Sequence, residues 1–483
     1  MIKNHFYLYS LCYIFFLSLT SGCLVNNGSQ SLLPAKYDLR ESNIITLPKK
    51  QAWGTCWAHS AISSIESNFL SKQKDKSLAE INFSEYHMDK FNGFNRDGIK
   101  GEVLNTEKSG QGIDFIGSNL DDRQSGLLVH QGGDMRIATA YIANNGGVVN
   151  EKKSHFISNS HQDHDVFGNT SITGIKRRDM YRYYFSRDIQ FLTLFGTNRE
   201  KRIKIKKAII NHGAVSSGQV QTNKPFGFFN NMEVHFHNGN KEIDHAISLI
   251  GWNDHLEVDG HVGAWLVKDS FHQSETTGKY IKYFYILYDD IHVAKNPFHG
   301  GTSFANTQLE KFNSIYTHSL HGWRYTSTNL KIKAVASKYL ISREKKIAGV
   351  GIYSTQENSR YVLTIHSSSL DGPIVFTKVS KVKYPGFHFV SANSLSIKSG
   401  IYFIKLALKR PAYPYDASST VDVLLSETTK KIQVNSSANK GESYYLIDGQ
   451  WKDFSSYKDK HNLQRKNSHA MKYDTANISM NLY

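Results

Sequence analysis

An α+β domain followed by an all-β sandwich is the fold class this sequence predicts, on three observations. Downstream of Cys56 the apolar residues Ala61, Ile62, Ile65, Phe69 and Leu70 recur at helical spacing, as on a helix with one buried face. Further on, short and mostly apolar runs beginning at His245 and Gly263 read as strands. After about Trp323 the pattern changes to short alternating or apolar runs with turn residues between them, at 361–366, 374–377, 402–408 and 421–425. Repeated strands at that spacing read as a sandwich.

The chain has 483 residues, too many for one compact core, which predicts two or three domains. Apolar content of 40% with 21% charged residues excludes a disordered or fibrous protein. Tyr and Phe, 27 of each against 8 Pro, favour strands over flexible linker. The formal charge of +16 would suit an anionic partner such as lipid head groups or an acidic envelope. Basic residues are scattered, with small clusters at 343–346 and 465–466 and no continuous stripe. They read as a solvated surface, and no nucleic-acid partner is expected.

Residues 1–22 have the layout of a secretory signal: Lys3 and His5 near the start, then an apolar, aromatic-rich run over 6–19. The run is too short and too weakly apolar to span a membrane. It ends Leu19-Thr20-Ser21-Gly22-Cys23, and small residues directly before a cysteine resemble a bacterial lipoprotein signal. That implies lipidation of Cys23, although Thr20 stands where an aliphatic residue is usual. Cleavage and release is the alternative. The expectation is an exported protein of the cell envelope or surface, meeting the membrane only through its lipid, with 23–33 as a short linker. The cysteines are Cys12, Cys23 and Cys56. Losing the first and acylating the second leaves one thiol in an exported protein, where paired cysteines or none are usual. A lone thiol in that setting asks for a chemical role.

The segment Gln51-Ala52-Trp53-Gly54-Thr55-Cys56-Trp57-Ala58 leads into the helix, with Gly54 and Thr55 as turn and cap. A cysteine at a helix N-terminus faces the positive end of the helix dipole and unpaired N–H groups, which favour thiolate and can bind an oxyanion. Gly54-Thr55-Cys56-Trp57-Ala58 resembles the active-cysteine segment of the papain-like (C1) peptidases, especially their bacterial branch. Tyr37-Asp38-Leu39-Arg40 is similar to the start of those mature enzymes. Gln51 resembles the family's oxyanion-hole glutamine. It lies five residues before the cysteine where the family usually has six, so either the loop is shorter by one or Lys50 takes the matching position. Asp244-His245-Ala246, followed by an apolar run to Gly251-Trp252, resembles the family's histidine strand. Asp269 falls where the family has the asparagine that orients the histidine, and Phe271 where it has a shielding tryptophan. An aspartate accepts the ring N–H as an amide oxygen does.

The resemblance continues at Phe83-Ser84-Glu85, a helix start, and at Gly132-Gly133-Asp134, where it implies a glycine pair that binds the substrate backbone. A helical run over 135–143 follows, and residues 201–219 resemble a later helix and strand. Residues 93–131 read as a surface insertion. His161 to Asp165 reads as a polar loop and not a metal site, and Gly349-Val350-Gly351 lacks the continuation of a nucleotide loop. The C-terminal part, with Gly441 to Leu446, Gly449-Gln450-Trp451 and Ile478-Ser479-Met480, resembles the lectin-like domain found after some clostridial-type C1 peptidases. A cell-envelope glycan ligand and a passive stabilising role both stay open for it.

The resemblance therefore implies a two-lobed papain-like peptidase over 34–322 and a lectin-like β-sandwich over 325–483, acting on protein or peptide substrates. In it Cys56 attacks the carbonyl, His245 moves the proton, Asp269 orients His245, Gln51 supports the oxyanion and Gly132 and Gly133 hold the substrate backbone. No metal or organic cofactor is required. Only about ten residues separate Cys23 from the peptidase match, so no long inhibitory prosegment is expected. Two alternatives stay open: a peptidase homologue of weak or no activity serving as an adhesin or glycan binder, and a transpeptidase whose acyl-enzyme passes to an amine.

Overall fold

Helix α1 (Cys56–Leu70) is the central helix of the N-terminal part, packing on the strands His245–Val258 and Thr302–Glu310. The computed structural model describes residues 33–483 except 52, 74–80, 96–125, 152–181, 276, 328, 426–427 and 459–474. The signal region with Cys23, most of the insertion at 93–131 and the segment from His161 to Asp165 lie outside the described residues. Residues Ala35–Tyr483 pack as one unit.

The sequence predicts one buried face for α1, but the helix is buried almost all round, including Ser60, Ser63, Ser64, Glu66, Ser67 and Asn68. The small serines explain this, because they let strands approach closely while the hydroxyls of Ser60, Ser64 and Ser67 find backbone partners. Ser60 Oγ donates to Ile247 O at 2.5 Å, Ser64 Oγ donates to Ala214 O at 2.5 Å, and Ser67 Oγ accepts from Ala214 N at 3.0 Å. Glu66 is held by Thr46 Oγ1 at 2.5 Å, the Phe83 N–H at 2.8 Å and Lys49 at 3.2 Å. Ser60, Ser64, Glu66, Ser67 and Asn68 each have a partner, which offsets the cost of burying them, whereas the Ser63 hydroxyl has none. Thr55 precedes the helix as expected, but its side chain makes no capping bond.

Helix α2 (Glu85–Lys90) starts where the sequence predicts, with Ser84 Oγ accepting from the His87 N–H at 3.1 Å. Helix α3 (Met135–Asn145) is capped by Asp134 and ends at Gly146 in the left-handed region, φ +75°. Helix α4 (Asn198–His212) opens on a capping box between Thr197 and Glu200. The histidine strand is longer than its sequence suggests, running His245–Val258. It pairs antiparallel with Val215–Gln219 and with His261–Lys268, which in turn pairs with Tyr283–Leu287.

Among the described residues this sheet has fourteen strands and crosses the expected domain boundary. Tyr183–Phe191 pairs with Thr302–Glu310 on one side and, through Gln190, Ile189 and Asp188, with Gly386–Ile397 of the C-terminal part on the other. Facing it in the C-terminal part is a six-stranded antiparallel sheet that includes Ala334–Ile341, Ser359–Ser367 and Gly400–Leu408. The predicted strands at 361–366, 374–377 and 402–408 all lie in it. Gly349 and Gly351 lie in the strand Lys345–Ser354, where a Cβ on Gly349 would meet the Phe389 ring at 2.4 Å. The run 421–425 behaves differently. It forms a separate two-stranded hairpin, Ser419–Leu425 with Thr428–Val434, which joins neither large sheet.

Candidate active site

Cys56 is the first residue of α1, so its N–H and those of Trp57 and Ala58 precede the first intrahelical bond, His59 N to Thr55 O. Thr55 makes no side-chain cap to them. His245 begins its strand and is fully buried, as is Cys56. The imidazole is hydrogen-bonded to the Cys56 side chain on one side. On the other, its Nε2–H donates to Asp269 Oδ1 at 2.7 Å. Thus one ring nitrogen faces the thiol while the other is fixed by a carboxylate.

Asp269 is rigid in turn. Its Oδ1 also accepts from the Ser270 N–H at 2.7 Å and its Oδ2 from the His272 N–H at 2.8 Å, while Tyr280 Oη donates to its backbone carbonyl at 2.7 Å. Burial alone would raise this carboxyl, but the facing His245 charge and the hydrogen bonds from His245 and the Ser270 N–H hold it below its ordinary value. For His245, burial pushes the imidazolium down. The charges of Asp269 and Cys56 and the hydrogen bonds to both outweigh that, and its pKa is pushed up to about 10. Phe271 stands with its ring centroid 6.1 Å from that of His245 and remains 36% exposed, so it shields the pair on one side only.

Gln51 is buried whereas Lys50 is exposed. The Gln51 amide donates to Trp53 O at 2.8 Å and accepts from Ser270 Oγ at 2.6 Å, tying the loop before Cys56 to the residue after Asp269. One of its two amide hydrogens is left over from these bonds. Gly132 lies at φ +89°, and its N–H donates to Gly54 O at 3.0 Å. At Gly133 a Cβ would sit 2.5 Å from the Trp57 indole, so only glycine fits against α1. This loop is fixed from α2: Asp89 pairs with His130 at 2.7 Å, and the His130 ring stacks on Trp53 with centroids 4.4 Å apart.

Three arrangements were not legible in the sequence. Behind His245 lies a polar chamber lined by Lys49, His59, Glu66, Glu85 and Lys268 among others, in which Lys49 bridges Glu66 and Glu85 at 3.2 and 2.5 Å. Burial lowers the Lys268 ammonium to about 8 despite the nearby carboxylates. Secondly, Glu233, His235 and His272 are, among the described residues, the cluster whose donor atoms converge as metal ligands would, all within 4.8 Å. Each ring nitrogen already has a protein partner. Both Nε2 atoms face Glu233 Oε2, at 3.1 and 2.7 Å, and the Nδ1 atoms face Thr222 Oγ1 at 3.0 Å and the Gln221 amide at 3.1 Å. The network thereby fastens the turn that follows Asp269.

A third arrangement involves the C-terminal part. Leu424, in the separate hairpin, donates its N–H to Gly133 O at 3.1 Å, and its carbonyl oxygen lies 3.8 Å from Cys56 Sγ. Nothing in the alternating pattern at 421–425 distinguishes it from an ordinary sandwich strand.

The family model of papain family cysteine proteases matches residues 33–106 and 123–298, more than half of the chain. A lectin-like domain model matches 315–467. No curated protein matches significantly in sequence. Among solved structures the chain is similar to the clostridial cysteine protease Cwp84 after propeptide cleavage, at 18% identity and TM-score 0.64, over 93% of this chain and 99% of that one. It is also similar to the cysteine protease and lectin-like domains of Cwp84, described as a surface layer associated protein of Clostridium difficile. There the identity is 18% and the TM-score 0.62, over 93% of this chain and 88% of the other. The shared fold is a papain-like α+β part followed by a lectin-like β part, as the sequence predicts. The chain belongs to the papain family of cysteine proteases.

Proposed function

We propose that the protein hydrolyses peptide bonds through a Cys56–His245 pair and an acyl-enzyme. The observation that carries this reading is the hydrogen-bonded row Cys56, His245, Asp269, with the thiol at the start of α1. Cys56 Sγ attacks the carbonyl carbon, and the developing oxyanion is held by the Cys56 N–H and the remaining Gln51 amide hydrogen. His245, as imidazolium, gives its proton to the departing amine. The neutral ring then takes a proton from water as it attacks the thioester, which releases the acid and restores Cys56. Asp269 touches neither substrate nor sulfur in this scheme; it is a positioning residue that fixes the ring and stabilises its positive charge. Gly132 and Gly133 offer their backbone to the substrate.

The test is Cys56→Ala assayed on peptide substrates. Activity should fall at least roughly a thousandfold with the fold retained, and a smaller loss would contradict a sole nucleophile. We further propose that the protein is exported and held at the envelope by lipid on Cys23, with the lectin-like domain keeping it near a surface glycan. Cys23→Ser should then release it from membranes or leave its signal uncleaved. Native protein that is soluble, free of lipid and cut elsewhere would contradict the anchor.

A further inference from the structure

The hairpin Ser419–Leu425 with Thr428–Val434 belongs by sequence to the lectin-like part but packs with the catalytic one. A two-stranded ribbon standing alone is marginal in water and needs a surface to lie on. Among the described residues its own domain offers it no strand partner. Its buried residues Val421, Val423, Leu424 and Val434 instead share a core cluster with Cys56, Trp57, Ile243 and Ala246. Its base is fixed in its own domain, where Arg324 donates to Ser419 Oγ at 2.9 Å and to Thr420 O at 3.2 Å. Its arm is held by the cleft. Leu424 bridges Gly133 antiparallel, the Gly126 N–H donates to Gln433 O at 2.7 Å, and Leu424 O meets Cys56 Sγ.

These contacts compete with substrate. The Gly133 carbonyl that would accept a hydrogen bond from an incoming peptide already accepts one from Leu424. Leu424 O also lies 2.8 Å from where a Cβ on Gly132 would stand, so there is no room for a second strand over the glycine pair. Cys56 and His245 are both fully buried, a state in which no external carbonyl reaches the sulfur.

We propose that this hairpin is a built-in occupant of the substrate cleft, seated as a peptide strand on Gly133, and that the peptidase works only when the hairpin is displaced. The inference rests on the reading of Cys56 as nucleophile and deepens it. Only the fraction of molecules with the hairpin unseated binds substrate, so apparent activity scales with that fraction.

The test uses the full chain carrying Val423→Asp and Leu424→Asp, which bury two carboxylates while the hairpin is seated and release them to water when it lifts. Alkylation of Cys56 by iodoacetamide and kcat/KM on a short fluorogenic peptide are measured beside the unaltered protein. Both should rise by about tenfold or more. Unchanged alkylation and unchanged hydrolysis would overturn the hairpin inference and leave the peptidase reading standing. Faster alkylation with no hydrolysis by either protein would uphold the hairpin and remove the peptidase. A second measurement needs no variant: hydrogen exchange across 419–434 before and after Cys56 is capped with a peptidyl epoxide. The Leu424 amide should lose its protection once a peptide occupies the cleft, and retained protection would overturn the inference.

Discussion

At the scale of single residues the decisive feature is a carboxylate where the family has an amide. In the proposed mechanism Asp269 orients the His245 ring and stabilises its charge, and against the effect of burial the charges of Asp269 and Cys56 push the His245 pKa up to about 10. In an enzyme that needs this proton, the alkaline limb of the rate profile marks its loss. Asp269→Asn keeps an oxygen for the ring N–H but removes the attraction that raises the pKa, so the alkaline limb should move to lower pH with activity retained. Asp269→Ala removes the orienting bond as well and should lower kcat/KM by roughly a hundredfold or more. An unmoved limb in Asp269→Asn, or full activity in Asp269→Ala, would show that Asp269 does not act on His245. Cys56, His245 and Asp269 were all legible in the sequence, since each sits in a short motif fixed by its neighbours. Leu424 and the Glu233–His235–His272 network were not, because their partners are brought together from distant positions.

At the scale of elements, α1 was foreseen in place and extent but not in its setting. Periodicity reports apolar residues only, and here serines bury the second face by bonding to strand carbonyls. The strand at 421–425 was equally visible, yet alternation records that a strand has a buried side, not which surface buries it. The glycine loop supplies the sharpest test at this scale. In Gly133→Ala the new methyl would overlap Trp57, which anchors the loop against α1. The loop must then shift, costing about 1–3 kcal/mol of stability. Denaturant unfolding should show that loss, and kcat/KM should fall, since the proposed mechanism pairs substrate with the displaced backbone. A variant as stable and as active as the parent would remove Gly133 from the account.

At the scale of the whole molecule the catalytic and lectin-like parts share one sheet and one packed interior. Tyr483 Oη donates to Ala143 O at 2.6 Å and Asn481 Nδ2 to Asn144 Oδ1 at 2.9 Å, so the strand Met480–Leu482 and the residue after it satisfy groups at the end of α3. The Tyr483 ring also packs on Phe185, with centroids 5.3 Å apart. Residues 33–322 produced alone would expose the edge at 188–190 and the apolar floor beneath Tyr483. That fragment should aggregate or unfold at a markedly lower temperature than the whole chain, and a fragment of equal thermal stability would show the two parts to be independent. The change of character near Trp323 told where the second part begins, but sheet pairing between sequence-distant strands is invisible to local pattern.

The central claim, hydrolysis through Cys56, is tested most directly by treating the unaltered chain with a peptidyl epoxide to completion and mapping the adduct by mass. The account predicts a single adduct on Cys56, with peptide hydrolysis lost in proportion to labelling. Hydrolysis that survives full modification of Cys56 would contradict it.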